Sequence, residues 1–224
     1  MKPSDRKVLQ DLKREVIETA KTLFEERLVK LTFGVVSAQI PNTERVLITP
    51  SGFSKAKLNT KELIMLDLEG RLVEGKLRPS VESKTHCYVH KMRPDVRAVI
   101  HTHSPVASGF ASANAEIPCV STEQAFVLGG TVPVVERYVR PGSQDPGDLE
   151  IIEKTLRNSR AVLLKNHGVL VVGASLREAL NNAIVVEDAA RIALISRLLG
   201  KSEKLSDVEI ENLVDFRGQY GQRK

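Results

Sequence analysis

The segment that most constrains the fold is AVLLKNHGVLVVG, residues 161–173, in which two apolar runs flank a polar break. This pattern predicts a β-hairpin that breaks at Gly168, and therefore a pair of antiparallel strands. Other apolar and β-branched runs predict further strands in FGVVSAQI, RVLITPSG, VRAVIHTH and TVPVVERY. TKELIMLDLEGRLVEG predicts a short helix followed by a strand pair that turns at Glu69-Gly70.

Helical patterns are interspersed with these strands. Apolar residues at helical spacing over residues 8–28 predict a long amphipathic opening helix. A second long helix is predicted in SLREALNNAIVVEDAARIALISRLLG, where Ser175 and Glu178 suit a capping box and Gly200 suits a stop. Shorter helices are predicted over residues 81–92 and in SPVASGFASA, DLEIIEKTLRN and the segment that follows SDVE.

Strands with helices between them, without a repeat or a linker, predict the fold class α/β: a single layered domain over residues 1–224 with a mainly antiparallel central sheet flanked by helices. No apolar run approaches the ~20 residues of a membrane span. The charged N-terminus lacks an apolar signal core, so a cytoplasmic protein is expected. Cys87 and Cys119 are too few for a disulfide framework and are expected to be buried. Basic and acidic residues are interleaved and Trp is absent, so no nucleic-acid partner is expected despite a net charge of +5.

Two of the five histidines lie one residue apart in the strand-like VRAVIHTH. Because side chains alternate along a strand, His101 and His103 are expected to face the same side and to converge on one ion. His167, at a strand end beside a glycine, is the candidate for a third ligand. Three imidazoles with an open position indicate a catalytic divalent-metal site, most often a zinc site. The alternative is a pair of exposed or hydrogen-bonded histidines on a half-buried strand.

A second constellation lies on the predicted helix at 81–92, where Glu82, His86 and His90 share one face at i, i+4 and i+8. A histidine pair with this spacing can bind zinc on a helix. Lys91 and Arg93 flank its second turn, and no strand end is present to leave a cavity open. A packed or solvated helix face is therefore the favoured interpretation.

These residues belong to a longer series of motifs: FGVVS, LITPSG, EGKLRPSVE, RPDVRAVIHTHSPVAS, IPCV, VLLKNHGVLVVG and LREAL. Together they resemble the class II, zinc-dependent sugar-phosphate aldolase and epimerase family, which includes fuculose-phosphate aldolase and ribulose-phosphate 4-epimerase. The resemblance runs from about Leu28 to Tyr220. Its most specific part is RPDVRAVIHTHSP followed by NHG.

The resemblance implies a role for each matching residue. The histidines at the positions of His101, His103 and His167 hold a divalent cation, which is Zn²⁺ or another such ion, for example Mn²⁺ or Co²⁺. Glu82 matches the acidic residue that transfers the proton in the aldolases. Cleaving a carbon–carbon bond next to a ketone leaves an enediolate, whose negative charge needs a cation nearby. The family forms C4 tetramers with sites at subunit interfaces, so a homotetramer is expected.

The family's phosphate pocket is usually built from Gly-Asn-aliphatic-Ser, a Thr/Ser-Gly pair and Ser-Ser-Glu. This chain keeps Ser51, Gly52 and Ser80 but has Val35 in place of the Asn and Val81 in place of the second Ser. Each lost hydrogen bond to a charged acceptor costs about 1.5–3 kcal/mol. Backbone amides and the helix start can still bind phosphate, so a small phosphorylated substrate is the expectation.

The acid that protonates the other fragment also departs from the pattern. Fuculose-type aldolases carry a Tyr shortly after an Ile-Pro pair, and the epimerases carry an Asp a little further on. Counting without gaps from Ile117-Pro118 places Thr122 and Phe126 there, which disfavours an epimerase and weakens the aldolase match. The terminal DFRGQYGQRK resembles the fuculose-type tail that closes the adjacent subunit's site, so Tyr220 is a candidate catalytic residue; a functionless terminus is the alternative.

The leading hypothesis is a metal-dependent carbon–carbon lyase that performs reversible retro-aldol cleavage of a small, fuculose-1-phosphate-like ketose phosphate through an enediolate. The first alternative is a decarboxylase of a keto or aromatic acid at the same metal site, which the two valines favour. A sugar-phosphate 4-epimerase is less favoured. So is a non-catalytic adducin-like module, because the chain keeps all three histidines and Glu82.

Overall fold

The strands and helices of the chain are interspersed along its length, and a computed structural model describes them over residues 3–217. In chain order, the elements are α1 (Pro3–Glu25), β1 (Val35–Gln39), β2 (Arg45–Ile48), β3 (Ile64–Asp67), β4 (Leu72–Glu74), α2 (Ser83–Met92), β5 (Ala98–Thr102), α3 (Pro105–Ser112), α4 (Thr122–Leu128), α5 (Pro146–Leu156), β6 (Ala161–Leu164), β7 (Gly168–Gly173), α6 (Leu176–Leu198) and α7 (Asp207–Phe216).

The strands that the structure describes form one seven-stranded sheet in the order β4-β3-β2-β1-β5-β7-β6. Every neighbouring pair is antiparallel, which confirms the predicted sheet. The predicted hairpin forms β6 and β7, but its turn occupies residues 165–167 and Gly168 already opens β7. Asn166 has a φ of 57°, a left-handed conformation that Asn tolerates in turns.

Helices cover both faces of the sheet. On one face, α1, α3 and α6 pack on alternate strand residues such as Val36, Ile100 and Val171. On the other face, α2 and α5 pack on the intervening residues such as Val99 and Val172. Because side chains alternate along β5, its odd-numbered residues point towards α2. Both faces of the sheet are buried, as the predicted layered α/β domain requires.

The structure differs from the predicted elements in four further places. The short helix predicted before β3 is a set of turns, in which the Asn59 and Glu62 side chains bind backbone amides in place of helical bonds. TVPVVERY makes only isolated bridges at Val132 and Val134, because the intervening Pro133 has no N–H to donate.

The other two differences concern an additional helix and the start of α6. The helix α4 was not predicted, although Ser121 accepts a bond from the Gln124 amide at its start and Gly129 ends it. At α6, Ser175 accepts from the Glu178 amide as expected, but the Glu178 carboxylate accepts from Ala174 N. Both halves of a capping box are instead present at the start of α7.

Cys87 and Cys119 are free and buried, as predicted. Among the helices of the described region, none is long and apolar enough to cross a bilayer.

Candidate metal centre and substrate pocket

Three histidines that are far apart in sequence meet at one end of the sheet. His101 is the penultimate residue of β5, His103 follows the end of that strand, and His167 closes the β6–β7 turn. Since β7 pairs antiparallel with β5, the turn lies beside the C-terminal end of β5. One ligand nitrogen from each ring lies within 4.8 Å of the other two. The structure thus brings together the three residues that the sequence predicts as ligands.

Gly168 allows the rings to approach one another. A Cβ at this position would lie 2.4 Å from the Thr102 carbonyl oxygen, 3.1 Å from His101 Cε1 and 3.2 Å from His103 Cδ2. A methyl group there would collide with the backbone and press against both imidazoles. The glycine of the NHG motif therefore serves the packing of the histidines, whereas its backbone lies in an ordinary strand.

The segment that carries His103 is held from both sides. Its backbone N–H donates to the Leu28 carbonyl at 3.2 Å. The α3 helix then begins at once, and the buried Glu187 carboxylate of α6 accepts from the amides of Val106 at 3.1 Å and Ala107 at 2.9 Å. A carboxylate at a helix N-terminus satisfies amides that have no partner within the helix. These bonds fix the path of the chain next to the site.

The hydrogen bonds of His101 determine which of its nitrogens is free. Nδ1 lies 2.9 Å from the Val169 carbonyl oxygen, an acceptor only, so Nδ1 carries the proton and Nε2 presents a lone pair. That lone pair faces His103 Nε2 at 2.8 Å and Glu82 Oε2 at 3.2 Å. Such a cluster of acceptors is repulsive without a proton or a cation between them, and it fits a divalent metal ion.

Burial makes the three imidazoles neutral. It lowers the pKa of His101 to about 3 and the pKa of His167 to about 4. Burial also lowers the pKa of His103, against the attraction of the nearby Glu82 charge. Near neutral pH all three rings are therefore in the unprotonated form that binds a metal.

Glu82 precedes the first residue of α2 but makes no capping bond with its side chain. The carboxylate instead reaches His101, and its other oxygen lies 3.6 Å from His167 Nε2. The Glu82 side chain therefore does not cap α2, because it turns away from the helix amides. Burial raises the pKa of Glu82, and the nearby imidazoles of His167 and His103 act in the opposite direction when they are protonated. A raised pKa suits a carboxyl group that gives and takes a proton near neutral pH.

The centre opens into a cavity of about 400 Å³. Glu82, His103 and His167 line its inner end, and the other predicted substrate-binding residues, Ser51, Gly52 and Ser80, line the same cavity. Six of the predicted site residues thus share one space, with His101 directly behind them.

The walls of the cavity are more apolar than a phosphate site requires. Val35 and Val81 line it, as the substitutions in the sequence predicted. Phe33 adds an aromatic wall whose ring stacks on His103, with centroids 5.3 Å apart and an interplanar angle of 15°. Gly52 has a φ of 74°, and a Cβ built on it would meet nothing within 4 Å. Open space above a left-handed glycine leaves its backbone accessible to a ligand.

The residues at the positions of the family's proton donors lie elsewhere. Thr122 and Phe126 are on α4, and neither is among the described residues that line the cavity. Tyr220, the other candidate, lies outside the described residues.

The second histidine pair forms no metal centre with a third ligand among the residues that the structure describes. His86 and His90 are buried, and both bind the same hydroxyl: Ser37 Oγ lies 2.8 Å from His86 Nδ1 and 3.0 Å from His90 Nε2. The prediction of a packed face is confirmed.

The family model described as Class II Aldolase and Adducin N-terminal domain matches residues 14–194. The chain belongs to this family. The resemblance drawn from the motifs is thus confirmed, and the class II aldolases use a divalent metal ion that the histidine cluster is suited to hold.

Individual relatives of this class II aldolase family member differ in their named reactions. A probable L-ribulose-5-phosphate 4-epimerase UlaF from Mycoplasma pneumoniae is 31% identical over 212 residues, which cover 89% of this chain and 88% of the relative. A solved L-fuculose 1-phosphate aldolase is 30% identical with a TM-score of 0.87, covering 94% of this chain and 97% of that one. YgbL from Escherichia coli, titled a putative aldolase/epimerase/decarboxylase, is 28% identical with a TM-score of 0.81, covering 92% and 99%.

Two residues of this chain that lie in or beside the cavity were not identified from the sequence. Phe33 immediately precedes the recognised FGVVS glycine, so its place in the motif was a usable signal. Lys55 lies buried in the loop after Gly52. No local pattern marks it, because a lysine in a loop is expected to be exposed.

Proposed function

We propose that the chain is a divalent-metal-dependent lyase that cleaves a small ketose phosphate in a reversible retro-aldol reaction. The observation that carries this proposal is the position of the Glu82 carboxylate, between His101 and His167 at the inner end of an open cavity. The overall likeness to an L-fuculose 1-phosphate aldolase supports it. A fuculose-1-phosphate-like substrate, with Zn²⁺ as the ion, is the form that we propose to test.

The chemistry divides between the ion and the chain's own residues. A divalent cation held by His101, His103 and His167 would supply the positive charge that an enediolate needs. In cleavage, the hydroxyl group next to the scissile carbon–carbon bond loses its proton, and the carbon that bears it becomes the aldehyde. The carbon–carbon bond breaks, and its electron pair stays on the carbon beside the carbonyl group, which gives the enediolate. The Glu82 carboxyl then delivers a proton to that carbon, which gives the hydroxy-ketone product. Tyr220 is our candidate for the group that exchanges the hydroxyl proton.

The test combines metal analysis of the purified protein with a screen of ketose 1-phosphates for aldehyde release. We expect about one divalent ion for each chain and an aldehyde product from at least one sugar. A metal-loaded protein that releases no aldehyde from any of them would rule out the lyase proposal.

A decarboxylase is the second candidate, because Val35 and Val81 make the cavity apolar where a phosphate-binding wall would carry donors. The YgbL structure, whose title includes decarboxylase, supports keeping it. The release of CO₂ from keto acids, without an aldehyde, would favour it. One relative is named as a 4-epimerase, so a third possible result of the screen is a C4 epimer that forms without release of an aldehyde or of CO₂. Phe126 on α4 argues against it, since it offers no ionisable group at the position expected for the epimerase Asp.

A further inference from the structure

Lys55 is a buried cation that has no carboxylate partner among the residues that the structure describes. Its side chain is only 1% exposed. The ammonium donates to the carbonyl oxygens of Thr32 and Phe53, each at 3.2 Å. Within the described region, no aspartate or glutamate lies within 4.0 Å of it, the distance of an ion pair. A buried charge normally has a counter-charge, because the loss of hydration is unfavourable.

The group remains charged at neutral pH in spite of its burial. Burial lowers the pKa of Lys55 to about 8, so most of the population is an ammonium near pH 7. The two carbonyl oxygens are dipoles and do not neutralise a full charge. His101, the buried imidazole behind the cavity, is a titratable group with which Lys55 interacts electrostatically.

The location of the ammonium suggests what balances it. Thr32 and Gly52 both line the cavity, and Lys55 binds the carbonyl of Thr32 and that of Phe53, the residue after Gly52. The ammonium therefore lies behind the backbone of the wall that contains Ser51 and Gly52, and does not itself line the cavity. No lysine or arginine is among the described residues that line the cavity itself.

We propose that Lys55 is a positioning residue that supplies the positive charge for the anion-binding end of the cavity. It also holds together segments 32–34 and 51–53, which contribute residues to the cavity wall. The ligand chemistry is an anionic oxygen group of the substrate, a phosphate or a carboxylate. The electric field of a fixed cation is screened less by protein, which has a low dielectric constant, than by water, so it extends through the wall into the cavity. It offsets the donors that Val35 and Val81 do not provide. The proposal rests on the proposed function only in placing the substrate's anionic group at this end of the cavity.

The test compares anion binding to metal-loaded protein by isothermal titration calorimetry, with inorganic phosphate in one arm and acetate in the other. Lys55→Gln retains hydrogen-bond donors but removes the charge, and Lys55→Met removes both. Lys57→Met is the matched control, because Lys57 is exposed in the same loop. The arm with the tighter binding identifies the anionic group that the cavity accepts.

We expect Lys55→Gln to weaken phosphate binding about tenfold, which corresponds to about 1.4 kcal/mol. Metal content should be unchanged, and Lys57→Met should bind phosphate as the wild type does. With a ketose phosphate that is turned over, the same variant should raise KM and leave kcat nearly unchanged. A folded Lys55→Gln protein that binds phosphate and acetate as tightly as the wild type would overturn the proposal.

A wild-type measurement covers the case in which the variants do not fold. By linkage, an anion that is stabilised by the ammonium must in turn raise the pKa of Lys55. NMR of lysine labelled at Cε, titrated with and without saturating phosphate, should show this rise. An unchanged pKa would contradict the inference. Neither the calorimetry nor the NMR titration needs an aldolase substrate. The Lys55 proposal can therefore be refuted or supported even if the lyase proposal fails.

Discussion

The five histidines of the chain divide into a fully buried pair and a group of three, of which only His101 is fully buried. In the sealed group, His86 and His90 share the Ser37 hydroxyl between them, 2.8 and 3.0 Å away. In the open group, His101 directs its free nitrogen at another imidazole and at a carboxylate, beside a cavity. In the first group one nitrogen of each ring binds this hydroxyl, whereas in the second group ring nitrogens face one another.

The comparison shows that a displaced pKa does not by itself mark a functional site. Burial lowers the pKa of His90 to about 4, as it does for His167. The two groups differ in the convergence of unprotonated nitrogens and in access from solvent. Convergence and access together are the signature of a ligand site. The predictions that follow test this contrast, beginning with the largest expected effect.

His103→Ala is expected to remove the metal and to lower turnover on the order of 10³-fold or more, since the ion provides the main stabilisation of the developing charge. Metal analysis and the aldehyde-release assay measure the two effects. His90→Phe is the control from the sealed group and should retain the ion. Equal turnover in His103→Ala and the wild type would refute the proposed centre.

Glu82→Gln is expected to keep the metal and to lower the rate by about 10²–10⁴-fold, the usual contribution of a proton-transferring group. The amide preserves the size of the side chain but cannot take up a proton at neutral pH. Metal content and kcat are measured together. A rate like that of the wild type would exclude Glu82 as the proton carrier.

Acid should destabilise the sealed group in a way that can be calculated. The pKa of His90 falls from an ordinary 6.5 to about 4 because of burial. Between these values the unfolded chain binds a proton and the folded protein does not. Its contribution is therefore fully present above pH 6.5 and is lost as the pH falls to about 4, by roughly 3 kcal/mol. Urea unfolding at both ends of this range should show a smaller loss for His90→Gln; an equal loss would contradict the assignment.

Ser37→Ala is expected to lower the free energy of unfolding by about 1–3 kcal/mol, because two buried ring nitrogens lose their shared partner. Metal content should not change, since the open group is untouched. Ser112→Ala, at an exposed position in α3, is the control and should have little effect. Loss of metal in Ser37→Ala would show that the two groups are coupled.

The sequence predicted those features that depend on local periodicity. Alternation in VRAVIHTH and the hairpin around NHG were sufficient to predict antiparallel strands and the meeting of His101 with His167. His103 joined them for a partly different reason, since β5 ends at Thr102 and the bond to Leu28 directs the following backbone. Strand alternation alone was therefore an incomplete argument for placing His103 beside His101 and His167.

The features that were missed depend on neighbours far away in the chain. Lys55 is buried because loops from residues 32–34 and 51–53 close around it, and its own flanking residues do not indicate this. The pairing of His86 with His90 through Ser37 likewise requires β1 to lie beneath α2. Such contacts follow from the completed sheet, which no short window of sequence contains.

Gly168 has a consequence for how a centre of this kind can be lost in evolution. Its α-hydrogen faces the Thr102 carbonyl, and a Cβ there would come within 2.4 Å of that oxygen. A change to alanine would therefore separate the imidazoles while every ligating side chain remained in the sequence. A homologue that has all three histidines but a larger residue here is expected to fold and to bind no ion. An intact ligand pattern is thus an insufficient criterion for assigning activity to such a homologue.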